Sequence, residues 1–287
     1  ISIYLCLMCG IFAYLGEPKS KSTLLLDFNK LKERGPDSSN LEIIKSDEKL
    51  SLVFGFHRLA INDLSSSGEQ PMNLGTNSLI CNGEIFNYQQ LVSENNFDYK
   101  SQSDCEVILH LYHKYGIEET VSKIDAEFAL LLYDSEKDIV YASRDPFGVR
   151  PLFKGTDTSG NVYFSSEIKG ISSLCSQIER FPPGCIWNSK NKEYTRYYEY
   201  IYPTEVYKLE YSEEHICEQL RVLLTQAVNK RLMSERPIGC LLSGGLDSSL
   251  ISSIVAKRFK ELNKGELNTF SIGMPGSTDL KYAQMVA

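Results

Sequence analysis

Between residues 238 and 272 the chain runs strand, loop, helix, strand, and that order constrains the fold more than any other feature. Ile238–Leu242 reads as a strand, Ser243–Asp247 as a loop, Ser248–Phe259 as a helix and Thr269–Ile272 as a second strand. A unit of that order joins parallel strands, so a parallel α/β sheet is expected. Parallel sheets need cover on both faces. The sequence ends at Ala287, soon after the second strand, so the expectation is a truncated domain.

The loop itself, Ser243-Gly244-Gly245-Leu246-Asp247-Ser248-Ser249, is built to approach an anion. Two glycines let the backbone come close to a ligand. Amides at the helix start and the helix dipole favour negative charge, and Ser243, Ser248 and Ser249 add hydroxyls. Asp247 suits that setting only if it holds a cation bridging to the anion. An ordinary glycine turn before a serine-capped helix is the plainer alternative. No G-x-x-x-x-G-K-[ST] occurs, so this is not a Walker-type phosphate loop.

Upstream, Cys9–Leu15 reads as a short buried strand and Ser22–Glu33 as a helix with Leu24, Leu25, Phe28 and Leu31 on one stripe. Leu52–Ile61, Leu79–Cys81, Phe128–Tyr133, Ile139–Ala142 and Val162–Phe164 read as strands between Gly, Asn, Asp and Ser. Ser103 with Glu106 three residues on has the pattern of a capping box. Residues 180–203, rich in Pro and Tyr, read as a domain end and linker. Ser212 then caps a long helix with Ile216, Leu220, Leu223, Leu224, Ala227 and Val228 inward, stopped by Pro237.

Charge and cysteine content exclude several classes. The net charge of −7 gives no electrostatic reason to expect nucleic acid or an anionic membrane as partner. Eight cysteines spread over 287 residues suit reduced thiols in a cytosolic protein. The apolar run from Ile3 to Leu15 is too short to span a bilayer and has no preceding Lys or Arg for a signal peptide. The sequence begins with Ile1, and Met8 is the better expected start. Cys6 and Cys9 form a lone C-x-x-C with no second pair for zinc. His110 and His113, three apart on one helix, read as surface histidines.

Met8-Cys9-Gly10-Ile11 is the second strong signal. If Met8 initiates and is removed, Cys9 carries a free α-amine beside its own thiol. Such an amine titrates near about 7.7–8.0 and can act as a base at neutral pH. A terminal nucleophile with its own base is an established means of activation. The competing reading is a buried structural cysteine.

The stretches Arg34-Gly35-Pro36-Asp37, His57-Arg58-Leu59-Ala60-Ile61, Asn82-Gly83-Glu84-Ile85-Phe86-Asn87-Tyr88, Ser103-Asp104-Cys105-Glu106 and Arg144-Asp145-Pro146-Phe147-Gly148-Val149-Arg150 follow Cys9 in order. Together they resemble the class II glutamine amidotransferases. The Ser243–Ser249 loop resembles the pyrophosphate loop of ATP pyrophosphatases. Joined, the two are similar to the asparagine synthetase family. The resemblance implies an N-terminal-nucleophile hydrolase αββα sandwich over 9–190, a leader at 1–8, a linker at 191–211 and the start of an ATP-pyrophosphatase domain over 212–287.

The resemblance also implies roles. Cys9 would be the nucleophile, with Asn82 and Gly83 as the oxyanion hole. Arg58, Leu59, Ala60, Ile61, Asn62, Asn82, Gly83, Glu84 and Asp104 would hold glutamine. Arg58 offers a planar fork for its carboxylate, and Asp104, helped by Glu84, an anion for its ammonium. Leu242, Ser243, Gly244, Gly245, Asp247, Ser248 and Ile272 would meet ATP, with Asp247 on Mg2+. Leu242 and Ile272 would flank adenine and ribose. His57 reads as a packed or capping histidine, and Arg144 with Asp145 as an ion pair ordering a turn.

The implied reaction is cytosolic. Glutamine is hydrolysed to glutamate and ammonia, aspartate is adenylated by ATP, and ammonia converts the adenylate to asparagine. A homodimer remains open. Two departures qualify this expectation. Residues 1–7 ahead of Met8, while attached, deny Cys9 its amine, so glutamine turnover is not expected of that form. The later part of the synthetase domain is missing, so asparagine formation is not expected of these 287 residues. Rival readings are amidotransferases acting on sugar phosphates, which lack Ser243–Ser249; a β-lactam synthetase relative, which lacks Cys9; a glutaminase-only remnant; and an inactive fragment serving as a binding module.

Overall fold

Residues 8–201 and 211–287 are described in a computed structural model of the chain. They fall into two units, the first reaching to Ile201 and the second taking the remainder. The leader reading, apart from Met8, and the end of the linker reading fall outside the described residues.

The first unit carries β1 (Gly10–Gly16), α1 (Lys21–Asn29), β2 (Ser38–Ser46), β3 (Ser51–Arg58), β4 (Met72–Leu74), β5 (Asn77–Ile85), α2 (Tyr88–Asn95), α3 (Glu106–Tyr115) and α4 (Ile117–Lys123). It continues through β6 (Ala126–Asp134), β7 (Ile139–Arg144), β8 (Phe153–Thr156), β9 (Val162–Ser165), β10 (Gln177–Arg180), β11 (Cys185–Asn188) and β12 (Tyr194–Arg196). Two six-stranded sheets result, in the orders β10-β8-β9-β1-β3-β2 and β12-β11-β7-β6-β5-β4. Every neighbouring pair of strands within them is antiparallel.

Alternation along each strand builds four layers. Ile11 and Ala13 of β1 join Phe54 and Phe56 of β3, and Ala129 and Leu131 of β6, in the core between the sheets. Phe12 and Tyr14 turn the other way and pack with Leu24, Phe28 and Leu31 beside α1. Leu79, Phe128, Leu130 and Leu132 face α3 and α4. Because β1 lies inside its sheet, its residues Ile11–Tyr14 are buried on both faces.

Several elements depart from the local sequence pattern. α1 ends at Asn29 and is followed by a 3-10 turn at Lys32–Arg34. Leu25 is 40% exposed, and buried Asp27 takes the inward place with Lys30 and Ser173 as partners. The capping box does not form. α3 begins at Glu106, whose carboxylate accepts the amides of Lys100 (2.9 Å) and Ser101 (2.6 Å). His110 is buried, stacked on Phe97 and Tyr99 and bonded to Glu106, while His113 is exposed. The stretch read as a linker starts inside this unit, since β12 pairs with β11.

Arg144 and Asp145 order a turn, but not as an ion pair with each other. Arg144 donates to the carbonyls of Arg150 (2.7 Å), Phe181 (2.8 Å) and Gly148 (2.6 Å). Asp145 accepts the amides of Phe147, Val149 and Arg150. Arg144 is 1% exposed, so its truncation strands three carbonyls beside a cavity. Arg144→Ala is expected to cost about 3 kcal/mol or more; a shift below about 1 kcal/mol in urea unfolding would contradict that accounting.

The second unit holds α5 (Glu213–Lys230), β13 (Gly239–Leu241), α6 (Leu246–Glu261), β14 (Asn268–Phe270) and α7 (Thr278–Val286). Ser212 caps α5 by accepting the amide of His215. β13 and β14 are parallel, as the sequence order requires. α5 stops at Lys230, well before Pro237. Leu220 and Leu223 are 60% and 59% exposed; Val228 is buried with Val255 and Phe259, and Leu224 packs against them.

Candidate active site

One cleft in the first unit gathers most of the residues singled out by sequence. It is lined by Cys9, Arg58, Leu59, Ile61, Asn62, Asn82, Gly83, Glu84 and Asp104, with Met8, Cys105 and Arg150 among its other walls. The topology explains the convergence. Cys9 precedes β1, and the register Gly10↔His57 brings it level with the end of β3. Asn82–Glu84 lie near the end of β5 in the facing sheet.

Cys9 is partly buried. Its sulfur accepts the Leu59 amide at 3.3 Å, and Arg34 Nε donates to its carbonyl at 3.1 Å. Burial pushes its thiol up to about 11, against the pull of the Leu59 amide and the nearby Arg150 and Arg58. A thiol so placed is almost wholly protonated at neutral pH and needs a base to react. His57 is not that base. It is fully buried, its ring stacks on Phe28 at 3.8 Å, and its nitrogens meet Ser39 Oγ and the Phe28 carbonyl. Burial, the largest cause, lowers its pKa.

Asn82 is 2% exposed, yet its Nδ2 has no hydrogen-bond partner. A buried amide donor without a partner is costly and calls for a reason. Beside it, Gly83 is the only residue type that fits. A Cβ there would lie 2.6 Å from the Glu127 carbonyl and 2.8 Å from Phe128 Cβ.

Arg58 enters the cleft already tied to the loop that follows it. Nη1 donates to Ser65 O (2.7 Å) and Glu69 Oε1 (3.3 Å), and Nη2 to Asp63 O. Of five guanidinium donors, those bonds leave Nε–H and one on Nη2. Opposite in charge, Asp104 is 4% exposed; its Oδ2 accepts the Ile85 amide at 2.7 Å and its Oδ1 Asn62 Nδ2 at 3.4 Å. Burial raises its pKa to about 6, with Glu84 adding to the rise and the Ile85 bond opposing it.

Two points differ from expectation. Ala60 does not line the cleft, because its amide is turned onto Asp37 Oδ2 at 2.8 Å. Arg150, quoted only as part of a motif, is a cleft residue. Its Nη2 meets Glu84 Oε1 at 3.0 Å, its Nη1 meets Met8 Sδ, and its buried Nε has no partner. Arg58, Asp104 and the Arg150–Glu84 ion pair thus line one cavity.

In the second unit, Ser243–Gly245 join β13 to α6, and Asp247 lies in the first turn of α6. The serines expected to meet a ligand also hold the loop itself. Ser248 Oγ receives the Ser243 amide (3.2 Å), and Ser243 Oγ the Gly245 amide (3.3 Å). Gly244 has φ +81, and a Cβ there would lie 2.4 Å from the Ala283 amide nitrogen. Leu242 is 2% exposed, so its side chain is not offered to a ligand as expected; Ile272 is 89% exposed. Among the described residues no helix is long and apolar enough to cross a membrane.

Residues 8–182 match the glutamine amidotransferase domain family, and residues 219–287 match the asparagine synthase family. The chain is 38% identical over 304 residues to a probable glutamine-hydrolysing asparagine synthetase of Acanthamoeba polyphaga mimivirus, covering 97% of this chain and 54% of that protein. It is 39% identical to the glutamine-hydrolysing asparagine synthetase of Gallus gallus and 38% to that of Homo sapiens, each over 98% of this chain and 54% of the relative. The chain therefore spans about half the length of these relatives. A solved glutamine phosphoribosylpyrophosphate amidotransferase from B. subtilis, complexed with ADP and GMP, superposes with a TM-score of 0.56 at 16% identity, over 95% of this chain and 70% of that one. That likeness concerns fold alone.

Proposed function

The chain belongs to the glutamine amidotransferase domain family, and from that premise we propose that its first unit hydrolyses glutamine through Cys9. The observation that carries this reading is the unpartnered Nδ2 of Asn82 in the cleft beside Cys9. Once Met8 is gone, the α-amine of Cys9 takes the thiol proton and the sulfur attacks the glutamine carboxamide. Asn82 Nδ2 and the Gly83 N–H hold the oxygen of the tetrahedral intermediate. Ammonia leaves, and water releases glutamate from the thioester. The remaining donors of Arg58 bind the carboxylate, and Asp104, with Glu84, binds the ammonium. The test is glutamate release by protein started at Met8, with Cys9→Ala as control.

The charge of Asp104 sets an expected pH profile. Its pKa is raised in the fold, so the carboxyl gains its proton as pH falls through about 6, and a neutral acid no longer pairs with ammonium. kcat/KM for glutamine is expected to fall about tenfold per pH unit below the amine's range of about 7.7–8.0, and to steepen toward about a hundredfold per unit well below 6. Asp104→Asn is expected to lower it throughout and remove only the added steepness below 6. The same steepening in the variant would assign the titration near 6 elsewhere.

For the second unit the reading is an ATP site of an asparagine synthetase in the cytosol. Gly244, Gly245 and the amino end of α6 would receive phosphate. Asp247, an exposed carboxylate, fits a Mg2+ ion that keeps waters and phosphate oxygens as its other ligands; that ion would neutralise charge on the departing pyrophosphate. In a full synthetase, aspartate would be adenylated there and ammonia would displace AMP to give asparagine. Matches to glutamine-hydrolysing asparagine synthetases over nearly the whole chain support this.

A further inference from the structure

Asp63 joins the two ends of the cleft. It is 3% exposed and has φ +56, a conformation few side-chain-bearing residues adopt. Its carbonyl oxygen accepts Arg58 Nη2. Its carboxylate accepts four donors: Ser65 N (3.1 Å) and Ser65 Oγ (2.6 Å) on Oδ1, Ser67 Oγ (2.7 Å) and Gln102 N (2.9 Å) on Oδ2. Ser65 in turn holds Arg58 through its carbonyl. Gln102 sits two residues before Asp104, and Asn62, next to Asp63, donates to Asp104 itself. The loop behind the cationic end and the loop behind the anionic end therefore share this carboxylate.

Burial alone would raise the pKa of Asp63, but the donors outweigh it and hold it below the usual carboxylate range. The group stays charged and keeps its full acceptor capacity. The packing leaves little slack, since a Cβ on Gly68 would lie 2.2 Å from Arg58 Nη2.

We propose that Asp63 is a positioning residue that sets the separation of Arg58 and Asp104, and so makes the cleft selective for a substrate bearing both an α-carboxylate and an α-ammonium. It touches no substrate atom and acts through the two groups that do. This rests on the glutaminase reading above. Asp63→Asn is the informative variant, because an amide has one accepting atom: the serine hydroxyls can turn to accept from its NH2, but either the Ser65 or the Gln102 backbone amide must lose its acceptor.

The experiment compares the chain and Asp63→Asn, each with Cys9 as first residue, by ammonia release from three amides. These are L-glutamine, glutaramate, which lacks the ammonium, and 4-aminobutanamide, which lacks the carboxylate. In Asp63→Asn the KM for glutamine is expected to rise at least about tenfold with kcat within about threefold. The preference for glutamine over each truncated amide, as a ratio of kcat/KM, is expected to shrink by about tenfold. Ser67→Ala, which removes one donor and leaves the carboxylate, is expected to move the same ratios about threefold and serves if Asp63→Asn does not fold. Preference ratios that stay unchanged in the folded variant, with activity lowered alike on all three amides, overturn the proposal. No turnover of glutamine by the unsubstituted chain overturns the glutaminase reading, and this inference with it.

Discussion

Cys9→Ala is expected to abolish glutamate release from glutamine, a loss of about 10⁴-fold or more, with the fold intact. The rate effect is large because the proposed thioester forms on the Cys9 sulfur. Cys81 and Cys105 also line the cleft, but both are buried, and the hydrogen bond with Cys81, with burial added, holds the Cys105 thiol well above its ordinary range. The stability effect is small. The sulfur makes the weak hydrogen bonds of a thiol, with the Leu59 amide and carbonyl at 3.3 and 3.5 Å, and packs at the edge of the core between the sheets. Glutamate release by the variant above about one part in 10³ of the parent, or its failure to fold, would contradict this. Mass spectrometry of the variant excludes residual parent protein.

Asn82→Ala carries the second largest expected effect: a fall in kcat of about 10²–10³ with little change in KM. In the free protein its Nδ2 has no partner, so the substitution breaks no hydrogen bond through that atom. It should leave the unfolding midpoint nearly unchanged. The donor acts only when negative charge develops on the carboxamide oxygen, which places its effect in kcat. A rise in KM with kcat unchanged would instead make Asn82 a ground-state binding group.

Much of this was legible in the sequence because it depends on local order. β1, β3, β6, β7 and β9 follow apolar runs bounded by turn residues, and the loop before α6 announces itself by glycine and serine. The family resemblance points to Cys9, Arg58, Asn82, Gly83, Glu84 and Asp104, and the fold brings them to one cleft. What was not legible depends on distant partners. His110 looks like a surface residue until Phe97 and Tyr99 stack on it. Ala60 belongs to the same short motif as Arg58, but Asp37 turns its amide away. Leu242 directly follows β13 and is buried. Asp63 and Arg150 have no periodicity or spacing to mark them; only three-dimensional hydrogen bonding singles them out.

The proposed mechanism gives the amino-terminal neighbour of Cys9 a decisive role. Met8 lines the same cleft, with its sulfur against Arg150, and its peptide bond consumes the nitrogen proposed as base. With the thiol pushed up to about 11, little thiolate exists at neutral pH without that amine. Intact-mass analysis of the species that hydrolyses glutamine tests this most directly. Glutamate-releasing protein is expected to begin at Cys9, with rates proportional to the fraction so processed. Equal turnover by protein whose Cys9 is still joined to Met8 would contradict it.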